Sequence, residues 1–423
     1  MKDRETTASL RVVLGLLGLS VLALIVTGAP IYSRLSYLWG LLLAGSWAWS
    51  RLALRGVELQ RMTRARRAQV GQVFQEQFEI HNSGRLPRLW LEVRDRSALP
   101  GSRASRVVAT IKGRQRRPYS VRTRLVRRGM FPLGPTVLAA GDPFGLFAVS
   151  RTLLPDASLL VYPITVDVRA FPSPPGLLPG GEALRRLTHQ VTPNAASVRK
   201  YAPGDSMNRI HWASTARRDT LMVKEFELDP LAEVWIFVDA ARKVQAALPP
   251  TTSDQPTGTL WQDWAAELPP ATEEYAVSIA ASLGQYFLRR GRAVGLVSWD
   301  RSLKVLSPDR GGRQLGKILE ALALLRAEGD LSISALVTAE SRHMPRGSTV
   351  ILVTPSVQEE VAMAADIVLR RGLRPVVVLL DAASFGGPPG TAALATAIRA
   401  LSVPVCQVEN GADLGAALSM RGD

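Results

Sequence analysis

Two apolar runs at the amino terminus constrain this chain more than any other feature of its sequence. The first covers residues 12–26 without a charged residue, and the second covers residues 35–53, broken only by Ser, Gly and Arg51. Each run roughly fits the ~20 residues that a helix needs to cross a bilayer. Only the short link at residues 27–34 separates them. We therefore expect residues 1–56 to form a membrane hairpin of two transmembrane helices.

Basic residues flank both runs on the same side, which predicts the orientation of the hairpin. Lys2, Arg4 and Arg11 precede the first run, a basic cluster at residues 51–67 follows the second, and the link carries only Arg34. The positive-inside rule then puts both ends and the bulk of the chain in the cytoplasm, as a two-pass protein of the plasma membrane. A cleaved secretory signal is the alternative, but the basic cluster would resist export.

The positive charge of the chain is concentrated just after the second run. The net charge is +16, and residues 51–128 hold twenty Lys or Arg against five Asp or Glu. Such a basic region could bind nucleic acid, but it contains few aromatic side chains that could stack on bases. An anionic lipid surface beside the hairpin explains the same charge, so we favour lipid or a solvated face over nucleic acid.

The rest of the chain divides by the period of its apolar residues. Residues 57–170 read as short alternating strands, which predict an antiparallel β-sandwich. A Pro-rich connector and a motif-rich stretch occupy residues 171–232. Helices and apolar strands then alternate over residues 233–423, which predicts a mainly parallel sheet covered by helices, with a Pro- and Thr-rich insertion at 244–271. The alternation includes a helix at residues 273–290 and a strand at residues 349–354.

Residues 199–226 form the densest motif of the chain, and two short blocks precede it. Its distinctive members are Tyr201, Pro203, Gly204, Asp205, Arg209, His211, Trp212, Arg217 and Lys224, and the upstream blocks contribute Arg128, Gly129, Asp142, Pro143, Phe144 and Gly145. Together these blocks resemble the signature of the domain-of-unknown-function 58 (DUF58) family, which is bacterial and mostly uncharacterised. Charged side chains crowded beside Trp and Tyr favour a buried salt-bridge network between the domains, and a partner-binding surface is the alternative.

The resemblance implies that residues 233–423 adopt a von Willebrand factor A-like fold. Such domains often hold a divalent metal through Asp-x-Ser-x-Ser and a later Thr and Asp. Here Asp239 is retained, but Ala241 and Lys243 stand where the serines would be, and Thr354-Pro355 replaces the later pair. Because hard oxygen ligands are missing from this degenerate site, the sequence predicts no metal and no other cofactor.

These features predict a non-enzymatic, membrane-anchored scaffold or adaptor that binds protein partners. Similar proteins are commonly encoded beside MoxR-type AAA+ ATPases and transglutaminase-like membrane proteins, so the resemblance implies a role in such a complex, in envelope protein assembly or maturation. One alternative is a hydrolase or nucleotide-binding enzyme that uses Asp205, Arg209 and His211. A second alternative is nucleic-acid binding through the basic sandwich.

Overall fold

The amino-terminal segment of this computed structural model folds as two helices packed side by side. The model describes residues 4–6, 8–155, 157–172, 195–202, 210–226, 233–249 and 268–419. A short strand β1 (Arg4–Thr6) precedes helices α1 (Ala8–Thr27) and α2 (Pro30–Ala53). Ser36 Oγ donates a hydrogen bond to Ser20 Oγ across the pair, at 3.3 Å. Within the described ranges, α1 is the one helix both long and apolar enough to cross a membrane.

Residues 57–162 form the strand-rich domain that the alternating pattern predicts. Its two larger sheets are antiparallel, with strand orders β2-β4-β7 and β1-β10-β9-β5-β6, and a smaller sheet has the order β3-β11-β8. The strands are β2 (Val57–Thr63), β3 (Arg67–Gln69), β4 (Val73–Asn82), β5 (Leu91–Asp95), β6 (Arg106–Val108), β7 (Arg116–Arg124), β8 (Gly129–Pro132), β9 (Thr136–Gly141), β10 (Phe147–Leu153) and β11 (Ser158–Tyr162).

The core of this domain lies between the two larger sheets. Side chains alternate between exposed and buried along β4, as expected for a strand with one face on a core. Phe78 and Ile80 of β4 share a buried cluster with Leu91 and Val93 of β5 and with Leu138 of β9. The domain is therefore a sandwich of antiparallel sheets, with one parallel pair, β3 and β11, in the smaller sheet.

The last part of the chain is a six-stranded sheet between two helical layers. The strand order is β16-β15-β14-β17-β18-β19, parallel throughout except for the antiparallel edge strand β16. Helices α4, α5 and α9 share one core with the sheet, and α6, α7 and α8 share the other. The elements are β14 (Val234–Val238), α4 (Thr272–Arg289), β15 (Val294–Trp299), β16 (Leu303–Asp309), α5 (Gly312–Leu324), α6 (Ile333–Glu340), β17 (Thr349–Thr354), α7 (Glu360–Arg370), β18 (Arg374–Leu380), α8 (Thr391–Ala400), β19 (Val405–Val408) and α9 (Leu414–Leu418).

In the sequence, a small β-hairpin with a short helix comes between these two domains. Strands β12 (Ala195–Lys200) and β13 (Met222–Phe226) pair antiparallel, and α3 (Trp212–Arg218) precedes β13. Most of the predicted insertion at residues 244–271 lies outside the described residues, which resume at Leu268.

The segment after the sandwich packs on the α/β domain. Val166 N donates to Ser282 Oγ at 3.0 Å, and Phe171 N donates to Tyr286 Oη at 3.1 Å, both on α4. The ring of Phe171 also meets Phe287 edge-on. The last strand of the sandwich therefore ends at Tyr162, and the final residues of the predicted sandwich range, 57–170, pack on α4 instead.

Candidate functional site

The described part of the signature stretch is a braced hairpin. Tyr201 N donates to Leu221 O and His211 N donates to Met222 O, each at 2.8 Å, so both ends of the loop are tied to the start of β13. Beneath them Ile210, Met222 and Val223 are buried. Met222 N also donates to Thr215 Oγ1 at 3.0 Å, which ties α3 to β13.

His211 is used to begin α3. Its Nδ1 accepts a hydrogen bond from Ser214 N at 3.2 Å and lies 2.7 Å from Ser214 Oγ. A side-chain acceptor at this position satisfies an amide that the first helical turn leaves unpaired. The geometry gives His211 a capping role.

The helix presents its side chains to solvent. Trp212 is 67% exposed, and Arg217 and Arg218 in the last turn are exposed as well. The buried network that the sequence favours is therefore not found for Trp212 and Arg217. Lys224 lies in β13, opposite Val198. Four further members of the motif, Pro203, Gly204, Asp205 and Arg209, lie outside the described residues.

Arg128, from the first upstream block, forms the junction between the two domains. Its side chain is fully buried, so Arg128 is an exception to the lipid-facing or solvated surface that the sequence predicts for the basic region. Arg128 Nη2 donates to Glu273 Oε1 at 2.5 Å, and Nη1 pairs with Glu274. Both glutamates lie in the first turn of α4, where the helix dipole favours negative charge.

The same guanidinium also binds the end of α5. Arg128 Nε donates to Leu322 O at 3.2 Å, and Nη2 donates to Leu325 O at 3.0 Å. Carbonyls at a helix carboxyl end lack intrahelical partners, so a cation there is favourable. Gly129 follows with φ +139, a backbone conformation that favours glycine. One sandwich arginine thus joins two helices of the α/β domain.

The second upstream block is a tight turn between β9 and β10. Asp142 accepts from Phe144 N at 2.9 Å and from Phe147 N at 2.6 Å, and Gly145 takes φ +65. The carboxylate thereby fixes the turn from inside. Phe144 at its tip is 61% exposed.

Asp239 lies at the carboxyl end of β14, beside the end of β17. Ligands of open α/β sheets bind in the crevice at this point, where the strand order reverses. Its Oδ2 accepts from Thr354 Oγ1 at 2.6 Å, and its Oδ1 accepts from Ala241 N at 3.1 Å. Burial raises the pKa of Asp239 to about 6, although these two hydrogen bonds lower it. Within the described ranges, no three His, Cys, Asp or Glu side chains are grouped as metal ligands would be.

Comparison with known proteins identifies the region that contains this hairpin. Residues 197–248 match the family model described as "Protein of unknown function DUF58". The chain belongs to the DUF58 family. The match covers α3 and β14, so it joins the exposed Trp212 and the buried Asp239 in one family segment.

A curated relative extends the similarity beyond that segment. The chain is 26% identical over 247 residues to the uncharacterized protein YeaD of Bacillus subtilis strain 168. The alignment covers 57% of this chain and 54% of YeaD, so it spans about half the length of that relative.

Solved structures give only weak similarity to this DUF58 chain. The CARDB domain of the PF1109 protein from Pyrococcus furiosus is 9% identical and covers 25% of this chain and 91% of its own, with a TM-score of 0.18. The cupredoxin domain of amoB from Nitrosocaldus yellowstonii is 11% identical and covers 34% of this chain and 99% of its own, with a TM-score of 0.18. Scores this low carry no argument about fold or function.

The sandwich of the DUF58 chain contains a buried ionic cluster that was not predicted from the sequence. Arg61 Nε donates to Glu76 Oε1 at 2.8 Å, and Arg61 Nη1 donates to Asp95 Oδ1 at 3.0 Å. The guanidinium also lies over the ring of Phe78. Arg61 follows the membrane hairpin closely, so the sequence reads it as part of the basic cluster. An ion pair 15 residues apart leaves no signal in the apolar pattern.

We expect the buried carboxyl of Asp239 to make stability depend on pH. Because the pKa of this group is raised on folding, the folded state binds more protons than the unfolded state between about pH 4 and 6, and stability falls as the pH rises through that window. Asp239→Asn should remove this loss, which amounts to about 3 kcal/mol in the free energy of unfolding.

Urea unfolding of the solubilised full chain at several pH values tests this prediction. The free-energy difference between Asp239→Asn and wild type should move in favour of the variant from pH 4 to pH 7. Asp309→Asn, at an exposed position, should show no such trend. A difference between Asp239→Asn and wild type that is constant over this range would contradict the prediction.

Proposed function

We propose that this DUF58 protein is a membrane-anchored, non-catalytic scaffold whose α3 surface binds a protein partner. The observation that carries the proposal is the exposed Trp212 in the first turn of α3, a short helix that ends in the exposed Arg217 and Arg218. Trp and Arg are enriched at the centres of protein interfaces, and a rigid support lowers the entropy lost on binding. A solvent-exposed Trp within the family-matched segment supports a binding role over an interdomain one.

Membrane anchoring is supported by the surface of the amino-terminal helices. In α1 only Leu10 and Ser20 are buried, whereas Leu19, Ile25 and Val26 are each more than 60% exposed. Many exposed apolar side chains on one helix mark a site of contact with a membrane or another protein. Helix α2 packs along α1 with apolar residues such as Leu41 also exposed. These exposed apolar side chains support our proposal that both helices form a two-pass anchor in the bacterial plasma membrane.

The α/β domain supports the assignment of a von Willebrand factor A-like fold that works without a metal. Its strand order, with one antiparallel edge strand beside parallel neighbours, suits that fold. The retained Asp239 uses its carboxylate oxygens to bind Thr354 and Ala241. This carboxylate joins the loops that follow β14 and β17 at the carboxyl ends of these strands. We propose that its role is structural and not metal binding.

The partner that we propose is a MoxR-type AAA+ ATPase, in a complex that includes a transglutaminase-like membrane protein. This choice rests on the family resemblance. The exposed cations of α3 suit an acidic surface on that partner. The complex would act in envelope protein assembly or maturation.

Trp212→Ala should weaken binding of a purified MoxR-type ATPase from the same organism to the full chain in nanodiscs. Loss of an aromatic anchor at an interface centre costs about 2 kcal/mol or more, which is over tenfold in Kd. Because Trp212 is exposed, the melting temperature should not change. Met363→Ala, at an exposed site on α7, is the matched control and should bind like wild type. Equal affinity of all three proteins would contradict the assigned surface.

The topology follows from the charge around the helices. A fluorescent-protein fusion after Asp423 should be bright and an alkaline phosphatase fusion there inactive, because both chain ends are cytoplasmic. Alkaline phosphatase fused after Gly28, in the link between the helices, should be active. Active phosphatase at residue 423 would instead indicate a cleaved signal or an inverted anchor.

A further inference from the structure

Three loops of the sandwich lie where the amino-terminal helices leave it. We call residues 83–90, 112–115 and 142–146 the base loops. Arg88 Nη2 donates to Arg55 O at 2.7 Å, and Ser83 N donates to Gly56 O at 2.8 Å. The first base loop is therefore bonded to residues that directly follow the end of α2 at Ala53.

The other two base loops are fixed at the same end of the sandwich. Arg114 N donates to Gly84 O at 2.9 Å, which ties the second loop to the first. Phe147, which directly follows the third loop, pairs with Thr6, two residues before α1 begins at Ala8. The ring of Trp90 also packs over Gly141, so the first and third loops are neighbours.

Apolar side chains project from these loops although each loop is held rigidly. Leu86, Leu89, Trp90 and Phe144 are each between 39% and 61% exposed. Asp142 fixes the turn that carries Phe144, and Asn82 Nδ2 donates to Leu86 O at 2.9 Å and to Lys112 O at 3.1 Å. Exposed aromatic and aliphatic residues on braced loops are typical of an interaction surface.

The length of α1 determines how close these loops come to a bilayer. A helix of 20 residues is about 30 Å long, which equals the thickness of the hydrocarbon core. If α1 spans the membrane, Ala8 lies at the boundary of the hydrocarbon core. All of α1 is then needed to cross the bilayer, and no part of it separates the sandwich from the lipid. The base loops must then lie at the level of the lipid headgroups.

The charge of the base loops suits an anionic leaflet. Arg85, Lys112 and Arg114 are exposed beside the apolar residues. Basic side chains attract acidic headgroups, and Trp and Phe rings are favourable at the boundary between headgroups and acyl chains. This combination fits a lipid surface better than a water-facing loop.

We propose that the base loops form a second membrane contact, in which Leu89, Trp90 and Phe144 insert into the headgroup region of an anionic leaflet. This inference rests on the proposed membrane anchoring by α1. The contact sets the tilt of the sandwich on the bilayer, because the first loop is bonded next to the end of α2 and the third loop adjoins the strand that leads into α1. The Asp-Pro-Phe-Gly block then has a role, which is to hold Phe144 toward the lipid.

Site-specific fluorescence of the reconstituted full chain tests the proposal. Phe144→Cys and Leu89→Cys are labelled separately with an environment-sensitive nitrobenzoxadiazole dye, and Cys406 is buried and does not compete for the label. The vesicles contain phosphatidylcholine, with or without phosphatidylglycerol, and lipids with a nitroxide near the headgroup serve as quenchers. We expect a blue-shifted emission and quenching several-fold above the control, stronger with phosphatidylglycerol.

Two control positions separate the possible outcomes. Val73→Cys lies at the far end of β4, about 30 Å from Asn82 at about 3.3 Å per residue, and should not be quenched. Leu19→Cys, in the middle of α1, should be quenched by nitroxides placed deep in the acyl chains. Quenching at Leu19 without quenching at Phe144 and Leu89 would overturn the lipid contact alone. Absence of quenching at Leu19 would overturn the membrane anchor itself. A blue shift that depends on protein density, without quenching by lipid, would indicate contact with a second copy and would also overturn the proposal.

Discussion

Arg128→Ala is expected to lower the free energy of unfolding by about 3–5 kcal/mol and to separate the two domains. The substitution leaves Glu273 and Glu274 without their buried partner and removes the donor for the carbonyls of Leu322 and Leu325. Denaturation of the solubilised full chain should then show an earlier transition. Proteolysis in residues 163–172, which run from one domain to the other, should be faster.

Arg127→Ala is the matched control for this prediction. The neighbouring arginine is exposed, so its removal should leave both the unfolding midpoint and the cleavage rate at wild-type values. If Arg128→Ala unfolds and is cleaved like Arg127→Ala, the guanidinium does not hold the junction and the two domains are joined by other contacts.

Arg61→Ala is expected to destabilise the sandwich by a similar amount, about 3–5 kcal/mol near neutral pH. The side chains of Glu76 and Asp95 are almost fully buried, and the variant would leave both without a cation. Burial already raises the pKa of Glu76, and the charge of Arg61 opposes that increase. Without Arg61 this carboxyl should take up a proton more readily in the folded state.

The loss in Arg61→Ala should therefore depend on pH in a defined direction. A carboxyl whose pKa is raised on folding costs stability as the pH increases, so the variant should be closest to wild type in acid and furthest from it at neutral pH. Adding Glu76→Gln should recover part of the loss. Arg116→Ala removes a largely exposed partner of Glu79 and should change stability by no more than about 0.5 kcal/mol. An equal effect of Arg61→Ala and Arg116→Ala, measured by urea denaturation, would rule out the buried cluster.

Much of the fold could be predicted because it depends on local periodicity. Strand β17 matches the predicted range at Thr349–Thr354, and helix α4 differs from its predicted range, 273–290, by one residue at each end. These segments are buried apolar strands and amphipathic helices, which the sequence encodes directly. The edge strand β16 was not predicted, because it contains a proline, which argues against a strand in the sequence.

The candidate site could be predicted only in part, because its contacts join residues far apart in the sequence. The motif around Trp212 was recognised in the sequence, but the solvent exposure of Trp212 was not predicted. The role of Arg128 depends on glutamates 145 and 146 residues later, and acidic residues at a helix start already have a local explanation. Arg61 likewise reads as a membrane-flanking charge. Whether an arginine is buried is decided by tertiary packing, which the pattern of charges does not reveal.

Photo-crosslinking at position 212 in intact cells is the most direct test of whether α3 binds a protein partner. A benzoyl-phenylalanine in place of Trp212 contacts whatever covers α3, and the same group in place of Met363 is the control. We expect a discrete product at 212 that contains the AAA+ ATPase and is absent at 363. Crosslinks from 212 only to the sandwich or the α/β domain of the same chain would show that the signature is an interdomain element, and would contradict a partner-binding role for α3.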